Sequence, residues 1–395
     1  MTRAEYHKKY YCELMEDNLP FWMNHAIDTE HGGVYNSLTR EGNVYCTDKS
    51  VWLQGRCAWI FSYLCAHYEQ KPEWKQIAES CLSFLTEHCI DKTDGRMYFT
   101  VTADGRPLRK RRYFFSETFY IIACAEYAAA FGDDFYLAQA RRYYDFVLGI
   151  YREPSSDPFK ITPKTVPGTR DTKAYAPAMI LLNVSHIMAR CDSEYASRYM
   201  EEATALTEEI CRDFVKPDLK ALLETVGPNG EFLPDATGCR TMNPGHTIEG
   251  AWFLLMQAKL TGDTGLLDTV ETLFKWSVDI GWDEEFGGLR SFVDVLGYPP
   301  EALEHDMKLW WPTCELIICS LMLYRETKNP YYWDWFVKAD AYATEHFRDP
   351  EFGEWYGYLN REGKPTLPAC KGCGFKGVFH VPRMLMFAEE LLREE

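Results

Sequence analysis

The sequence predicts an all-α fold, an (α/α)6 barrel of six helical hairpins with short β-hairpins in the long loops at one end. Three observations predict it. Apolar residues recur at i, i+3, i+4 and i+7 over about twelve stretches. The connections between those stretches alternate strictly between long loops and turns of two or three residues. Five of the long connections share one texture, and their starts lie about 60–65 residues apart with one double gap, so the 395 residues divide into six units of about 66.

The helical stretches fall near 4–28, 48–70, 72–91, 113–131, 133–151, 172–190, 193–214, 243–261, 264–280, 302–326, 330–346 and 374–392. The recurring loop texture is a turn, alternating aromatic and polar residues, and a second turn. It appears at His31–Gly42, Asp94–Gly105, Leu222–Leu233, Glu285–Asp294 and Glu351–Gly363. Period-two alternation closed by Asp-Gly, Asn-Gly or Glu-Gly signals a β-hairpin. The sixth place, near 157, is Pro- and Lys-rich instead. Turns such as Phe131-Gly-Asp133 and Thr261-Gly-Asp263 are too short to do more than reverse the chain, which gathers all the long loops at one end. The even-numbered helices are the more apolar and are expected to form an inner ring, covered on several sides. An open α-solenoid has the same local pattern. The closed ring is the reading adopted, as one domain over residues 1–395 with a pocket at the long-loop end.

Composition narrows the function classes. Hydrophobic residues make up 46% and charged residues 26%, which excludes a disordered or fibrous chain. The 59 acidic residues outnumber the 42 basic ones, and a net charge of −17 repels nucleic acid and anionic membranes. Aromatics reach 15%, suited equally to a large core and to lining a site for ring-shaped ligands. No run approaches 18 apolar residues, and nothing after Met1-Thr-Arg-Ala-Glu5 resembles a signal peptide, so a cytoplasmic protein is expected. The 14 cysteines then read as reduced thiols used as small core residues. Cys370 and Cys373 form one C-x-x-C without a second pair or a His at zinc-finger spacing.

Each even helix begins after a long loop, so its first turns face the pocket mouth. Polar groups without an evident core task cluster there: Arg56, Glu117, His246, Glu249, Lys308, Glu315, His380 and Arg383. His246 follows Pro244-Gly245, with Glu249 at i+3 able to hold its tautomer. His380 has Arg383 at i+3. A lone histidine is more often structural, but two at equivalent places on two inner helices point to chemistry. Arg56 needs an anion if buried, whether Glu117, Glu315 or a ligand. Trp311 either packs in the core or stacks on a ligand, and Pro312 inside the predicted helix is expected to bend it. No metal-ligand spacing, phosphate-binding glycine loop or nucleophile elbow is present, so no metal and no consumed cofactor are expected.

At these residues the sequence closely resembles the N-acylglucosamine 2-epimerase family. The matching stretches are Val51–Arg56, Phe115–Glu117, Asn243–Glu249, Lys308–Pro312, Gly353–Leu359 and Phe375–Arg383, in order over residues 20 to 390. The resemblance implies an (α/α)6 barrel that interconverts N-acetylglucosamine and N-acetylmannosamine, as a homodimer, with ATP as a non-consumed activator. It also implies that His246 and His380 are the two bases of C2 epimerisation. Arg56 is the reading's cation at the C1 oxygen, and Glu249, Glu315, Arg383, Glu117, Lys308 and Trp311 would hold the sugar. Many members have a histidine where this chain has Thr313. Relatives acting on cellobiose carry a further histidine early in helix 6, absent from Ala174–Asn183 here, which resembles the N-acylglucosamine branch. Lys160, Lys164 and Arg170 lie where the family's nucleotide effector has been placed, and a basic, glycine-containing loop in an acidic chain suits an anion. Three alternatives compete. One is an epimerase or isomerase of an unmodified sugar. Another is an inverting glycoside hydrolase using Glu249 and Glu315. The third is a non-enzymatic partner-binding protein.

Overall fold

The structure, a computed structural model, describes residues 1–111, 113–160, 166 and 168–393. Among these, twelve helices follow one another as six antiparallel pairs. Helix α1 covers residues 3–25 and runs through a π-helical turn at Glu13–Asn18. Then come α2 (Val51–His67), α3 (Pro72–His88), α4 (Phe115–Phe131), α5 (Asp134–Arg152) and α6 (Tyr175–Cys191). The second half holds α7 (Ala196–Asp213), α8 (Pro244–Thr261), α9 (Thr264–Gly281) and α10 (Trp310–Thr327). Helix α11 covers residues 330–347 and α12 is His380–Leu392. No helix among the described residues is long and apolar enough to cross a membrane.

The even helices form the inner ring. Each packs on the next from α2 to α12. The ring closes where α12 returns to α2: Trp59 lies 5.7 Å from Phe379 and 6.4 Å from Phe387, and Tyr63 Oη donates to Glu390 at 3.1 Å. Helix α1 straps this seam, with Arg3 donating to the Leu392 carbonyl at 3.0 Å. The chain is therefore an (α/α)6 barrel and not an open solenoid. Inner helices are buried all round, as expected when both faces are covered. In α2 every residue from Leu53 to Cys65 is buried except Arg56. Outer helices are amphipathic; α7 buries Tyr199, Ala203, Leu206 and Ile210 at three- and four-residue spacing.

The long loops do more than form local hairpins. The strand that leads into an inner helix pairs with the loop of the following unit. Strands β1 (Ser37–Leu38) and β2 (Val44–Cys46) form a local hairpin. Strand β3 (Lys49–Ser50), ahead of α2, pairs with β4 (Thr100–Val101), which also pairs with β5 (Pro107–Arg109). Strand β6 (Lys173–Ala174), ahead of α6, pairs with β9 (Thr225–Val226), while β7 (Val215–Lys216) and β8 (Ala221–Leu222) pair locally. Likewise β10 (Thr241–Met242) pairs with β11 (Val293–Asp294), and β12 (Lys308–Leu309) with β13 (Tyr358–Leu359). A bridge from Cys370 to Thr39 ties the last loop to the first. Pairing across units satisfies strand edges that would otherwise be open, and it fixes where α2, α6, α8 and α10 start.

A buried ion pair repeats with the units. Asp28 and Asp283 each close a loop by donating their backbone N–H to a carbonyl five residues on, at 3.1 and 3.0 Å. Their carboxylates take Lys49 at 2.6 Å and Lys308 at 3.0 Å. The last unit repeats the arrangement with Asp349 and Lys371 at 3.0 Å.

Two helices start later than the apolar periodicity predicts. Residues 302–309 are turn and β12, so α10 begins at Trp310. Pro312 thus sits in a first turn, where no intrahelical acceptor is lost, and the expected bend has no cause. Residues 374–379 are loop, so α12 begins at His380. The run holding Gly372, Gly374 and Gly377 favours helix poorly. Lys376 is also drawn into a buried network with Glu354 and the Lys371 carbonyl.

Candidate active site

The start of α8 explains the position of His246. Asn243 caps the helix by accepting the His246 N–H at 3.0 Å, and Pro244 takes the first helical position, where its missing N–H costs nothing. Gly245 is required by close approach: a Cβ there would lie 2.6 Å from the Trp311 ring. The imidazole of His246 consequently lies 4.9 Å from Trp311, with Nδ1 3.0 Å from Glu224 Oε2. Glu224 is fixed through its backbone, donating to the Thr241 carbonyl and accepting from Tyr175 N–H. Burial works against a charge on His246. Glu224, backed by Glu249 and Glu315, outweighs it and holds the imidazole above its ordinary value.

His380 opens α12 and lies 6.1 Å from the same Trp311, ring to ring. Its Nδ1 is 2.8 Å from Glu315 Oε1. Arg383 Nη2 donates to Glu315 at 2.5 Å and to Glu249 at 2.9 Å, and Trp252 Nε1 donates to Glu315 Oε2 at 2.9 Å. Burial, then Arg383 and Arg56, push the His380 imidazole well below its ordinary value. The Nε2 atoms of both histidines make no hydrogen bond among the described residues. One imidazole thus holds a proton more tightly than an ordinary imidazole and the other less tightly, both near one indole.

Arg56 faces the same cup from α2. Its Cζ lies 4.2 Å over Phe119 and 4.9 Å over Phe379, and Nη1 reaches only the Phe375 carbonyl, at 3.4 Å. Among the described residues it has no carboxylate partner, so the ion pair with Glu117 or Glu315 is not formed. Burial, only partly offset by Glu249, draws the guanidinium down to about 9.

The structure engages Glu117 and Lys308 away from the histidines. Glu117 Oε1 takes Arg96 Nε at 2.6 Å and the Met97 N–H at 2.9 Å, as Gln54 takes the Val34 N–H one unit earlier. It clamps a loop to an inner helix. Lys308 is the brace on Asp283, equivalent to Lys49 on Asp28. Lys160 is exposed and borders a cavity of about 990 Å³ lined also by Phe115, Tyr151, Arg152 and Lys173. Arg170 is exposed beside Cys239, and Lys164 lies outside the described residues. Thr313 is buried in the first turn of α10. Glu224 is the site residue missed from the sequence; its signal is an acid within the run Ala221–Val226, whose other members are mostly buried.

Ligand atoms of Glu249, Glu315 and His380 lie within 4.8 Å of one another, close enough to hold a metal ion. The Arg383 guanidinium already bridges the two carboxylates there and supplies the positive charge. The same bridge disfavours an inverting hydrolase, whose two carboxyls stand about 6.5–9.5 Å apart to admit a water.

The family model described as N-acylglucosamine 2-epimerase matches residues 33–381. The chain belongs to the N-acylglucosamine 2-epimerase family. It is 38% identical over 382 residues to the N-acylglucosamine 2-epimerase of Rattus norvegicus, covering 96% of this chain and 90% of that one. It is 23% identical to the cellobiose 2-epimerase of Bacteroides fragilis, covering 97% of each. The solved cellobiose 2-epimerase of Spirochaeta thermophila superposes with a TM-score of 0.84 at 21% identity, over 99% of this chain and 97% of that one, and shares its fold. The protein is a sugar epimerase.

Proposed function

We propose that this epimerase interconverts N-acetyl-D-glucosamine and N-acetyl-D-mannosamine by moving a proton at C2 of the open-chain sugar. The observation that carries the mechanism is the His246–His380 pair, both near Trp311, held by different carboxylates and shifted in opposite directions in proton affinity. Two groups pushed apart in this way divide into acid and base. Glu315 accepts from Nδ1–H of His380, which leaves Nε2 as the lone-pair base. His246, charged, presents an Nε2 proton. His380 removes the C2 proton, weakly acidic beside the C1 aldehyde. His246 supplies a proton to the opposite face. In the reverse direction the roles exchange.

Negative charge gathers on the C1 oxygen in between. Arg56, a cation without a carboxylate partner, stabilises it, a contribution on the order of 3 kcal/mol for one preorganised donor. Glu249, Glu315, Arg383 and Trp311 position the imidazoles and the sugar chain. The greater likeness to proteins named N-acylglucosamine 2-epimerase supports an N-acyl sugar over an unmodified one. With the same reading go a homodimer, a cytoplasmic location and ATP as a non-consumed activator acting through Lys160, Lys164 and Arg170. Incubation with N-acetylmannosamine, with and without ATP, tests the reading: N-acetylglucosamine should accumulate, and its absence in both arms refutes the assignment.

A further inference from the structure

Arg111 lies between β5 and α4, partly buried at the rim of the cup. Its Cζ sits 4.0 Å over the Phe99 ring, 5.5 Å from Phe375 and 5.8 Å from Trp52. Its Nε is shut off from solvent and makes no hydrogen bond. Among the described residues it has no carboxylate partner. Arg56, deeper in the cup, is in the same condition and flanks the same Trp52, at 5.8 Å. By contrast, Arg96 is paired with Glu117, Arg141 with Asp192 and Arg240 with Asp294. Arg109 next to Arg111 adds a third cation, and burial together with Arg109 lowers the proton affinity of Arg111.

A guanidinium held over a ring can still present its terminal N–H groups, and that planar pair matches the two oxygens of a phosphate or carboxylate. An unpaired cation half out of water is costly, and an oxyanion offsets that cost. We propose that Arg111, over the Phe99 and Phe375 rings and in the field of Arg56 and Arg109, is the anchor of an oxyanion subsite at the pocket rim. The oxyanion arrives as a substituent of a sugar seated in the cup or as a free ion. The proposal stands on the placement of the cations and not on which sugar is turned over.

Calorimetry on the full chain at low ionic strength tests it, with inorganic phosphate and N-acetylglucosamine 6-phosphate as probes. Binding to the unaltered protein should weaken about tenfold or more in Arg111→Gln, recover in part in Arg111→Lys, and stay unchanged in Arg198→Gln, whose guanidinium is taken by Asp145. Tighter binding of the sugar phosphate, displaced by N-acetylmannosamine, marks a substituent site. Equal binding of both probes, undisplaced by N-acetylmannosamine, marks a free-ion site. No binding of either probe, or binding that Arg111→Gln and Arg111→Lys leave intact, overturns the proposal. Because the readout is heat of binding, a failure of the epimerase reading is separately visible as lack of turnover.

Discussion

One oxygen of Glu315 holds His380 Nδ1 at 2.8 Å while receiving Arg383 Nη2 at 2.5 Å. The carboxylate beside His380 is therefore already neutralised by a guanidinium, and it orients the ring without drawing a proton onto it. Glu224, at 3.0 Å from His246, has no such arginine among the described residues. Two similar His–carboxylate contacts thereby act in opposite directions, and the difference comes from the deeper burial of His380 and from Arg383 and Arg56, not from the contacts themselves.

The pH profile should report this asymmetry. Catalysis needs His380 neutral and His246 protonated, so kcat/KM falls as pH rises through the His246 value, which lies above 6.5 in the folded protein. Glu224→Gln removes the group that raises it. The alkaline limb should then move to lower pH while the acid limb stays, as measured from about pH 5 to 9. A limb that does not move would take His246 out of the acid role.

Arg56→Gln should lower kcat about a hundredfold with little change in KM, because the charge it meets exists only along the reaction path. Steady-state kinetics in either direction read this. A rise in KM alone would make Arg56 a ground-state binder.

Much of the barrel was legible from period and loop length, since six units repeating one pattern leave few ways to pack. The two late helix starts were not. At 302–309 apolar spacing continues through a turn and a short strand, and before His380 a glycine-rich loop is held by Lys376 on Glu354, a contact between residues 22 apart. The histidines, Arg56 and the acids around Arg383 could be read because each is polar in an apolar helix. Lys308 fits that same test, yet its partner Asp283 comes from the preceding loop, and only the parallel Lys49–Asp28 pair exposes it as a brace. Glu224 was hidden for the converse reason: it lies in a hairpin outside the inner helices, and only the fold carries it to His246.

That reading of Lys308 is open to measurement. Lys308→Met leaves Asp283 buried with Arg361 at 3.0 Å and Arg290 at 3.6 Å. Stability should drop by about 3 kcal/mol, the low end for a broken buried pair. Lys49→Met should cost a comparable amount, since its brace is equivalent. Denaturant melts check both, and KM of the folded fraction should hold. A Lys308→Met protein of normal stability with a raised KM would return the lysine to the sugar.

The strongest test of the two-histidine scheme follows the C2 proton itself. Each imidazole serves one face of the sugar, so removing either blocks net conversion while leaving the other face in contact with a working base. In deuterated water, His246→Asn and His380→Asn should each lose turnover about a hundredfold or more, the usual scale for a positioned acid or base. Substrate affinity should change far less. The surviving base can still remove and return a proton on its own face, which washes deuterium into C2 of one epimer without converting it. His246→Asn retains His380, the base assigned to one epimer, and His380→Asn retains His246, so the two variants should label opposite epimers. Proton NMR of each sugar separately reads the exchange. Near-normal conversion by either variant would leave a single base and a sugar that turns within the pocket. Exchange of the same epimer by both variants would place the two histidines on one face of the sugar and refute the two-face scheme.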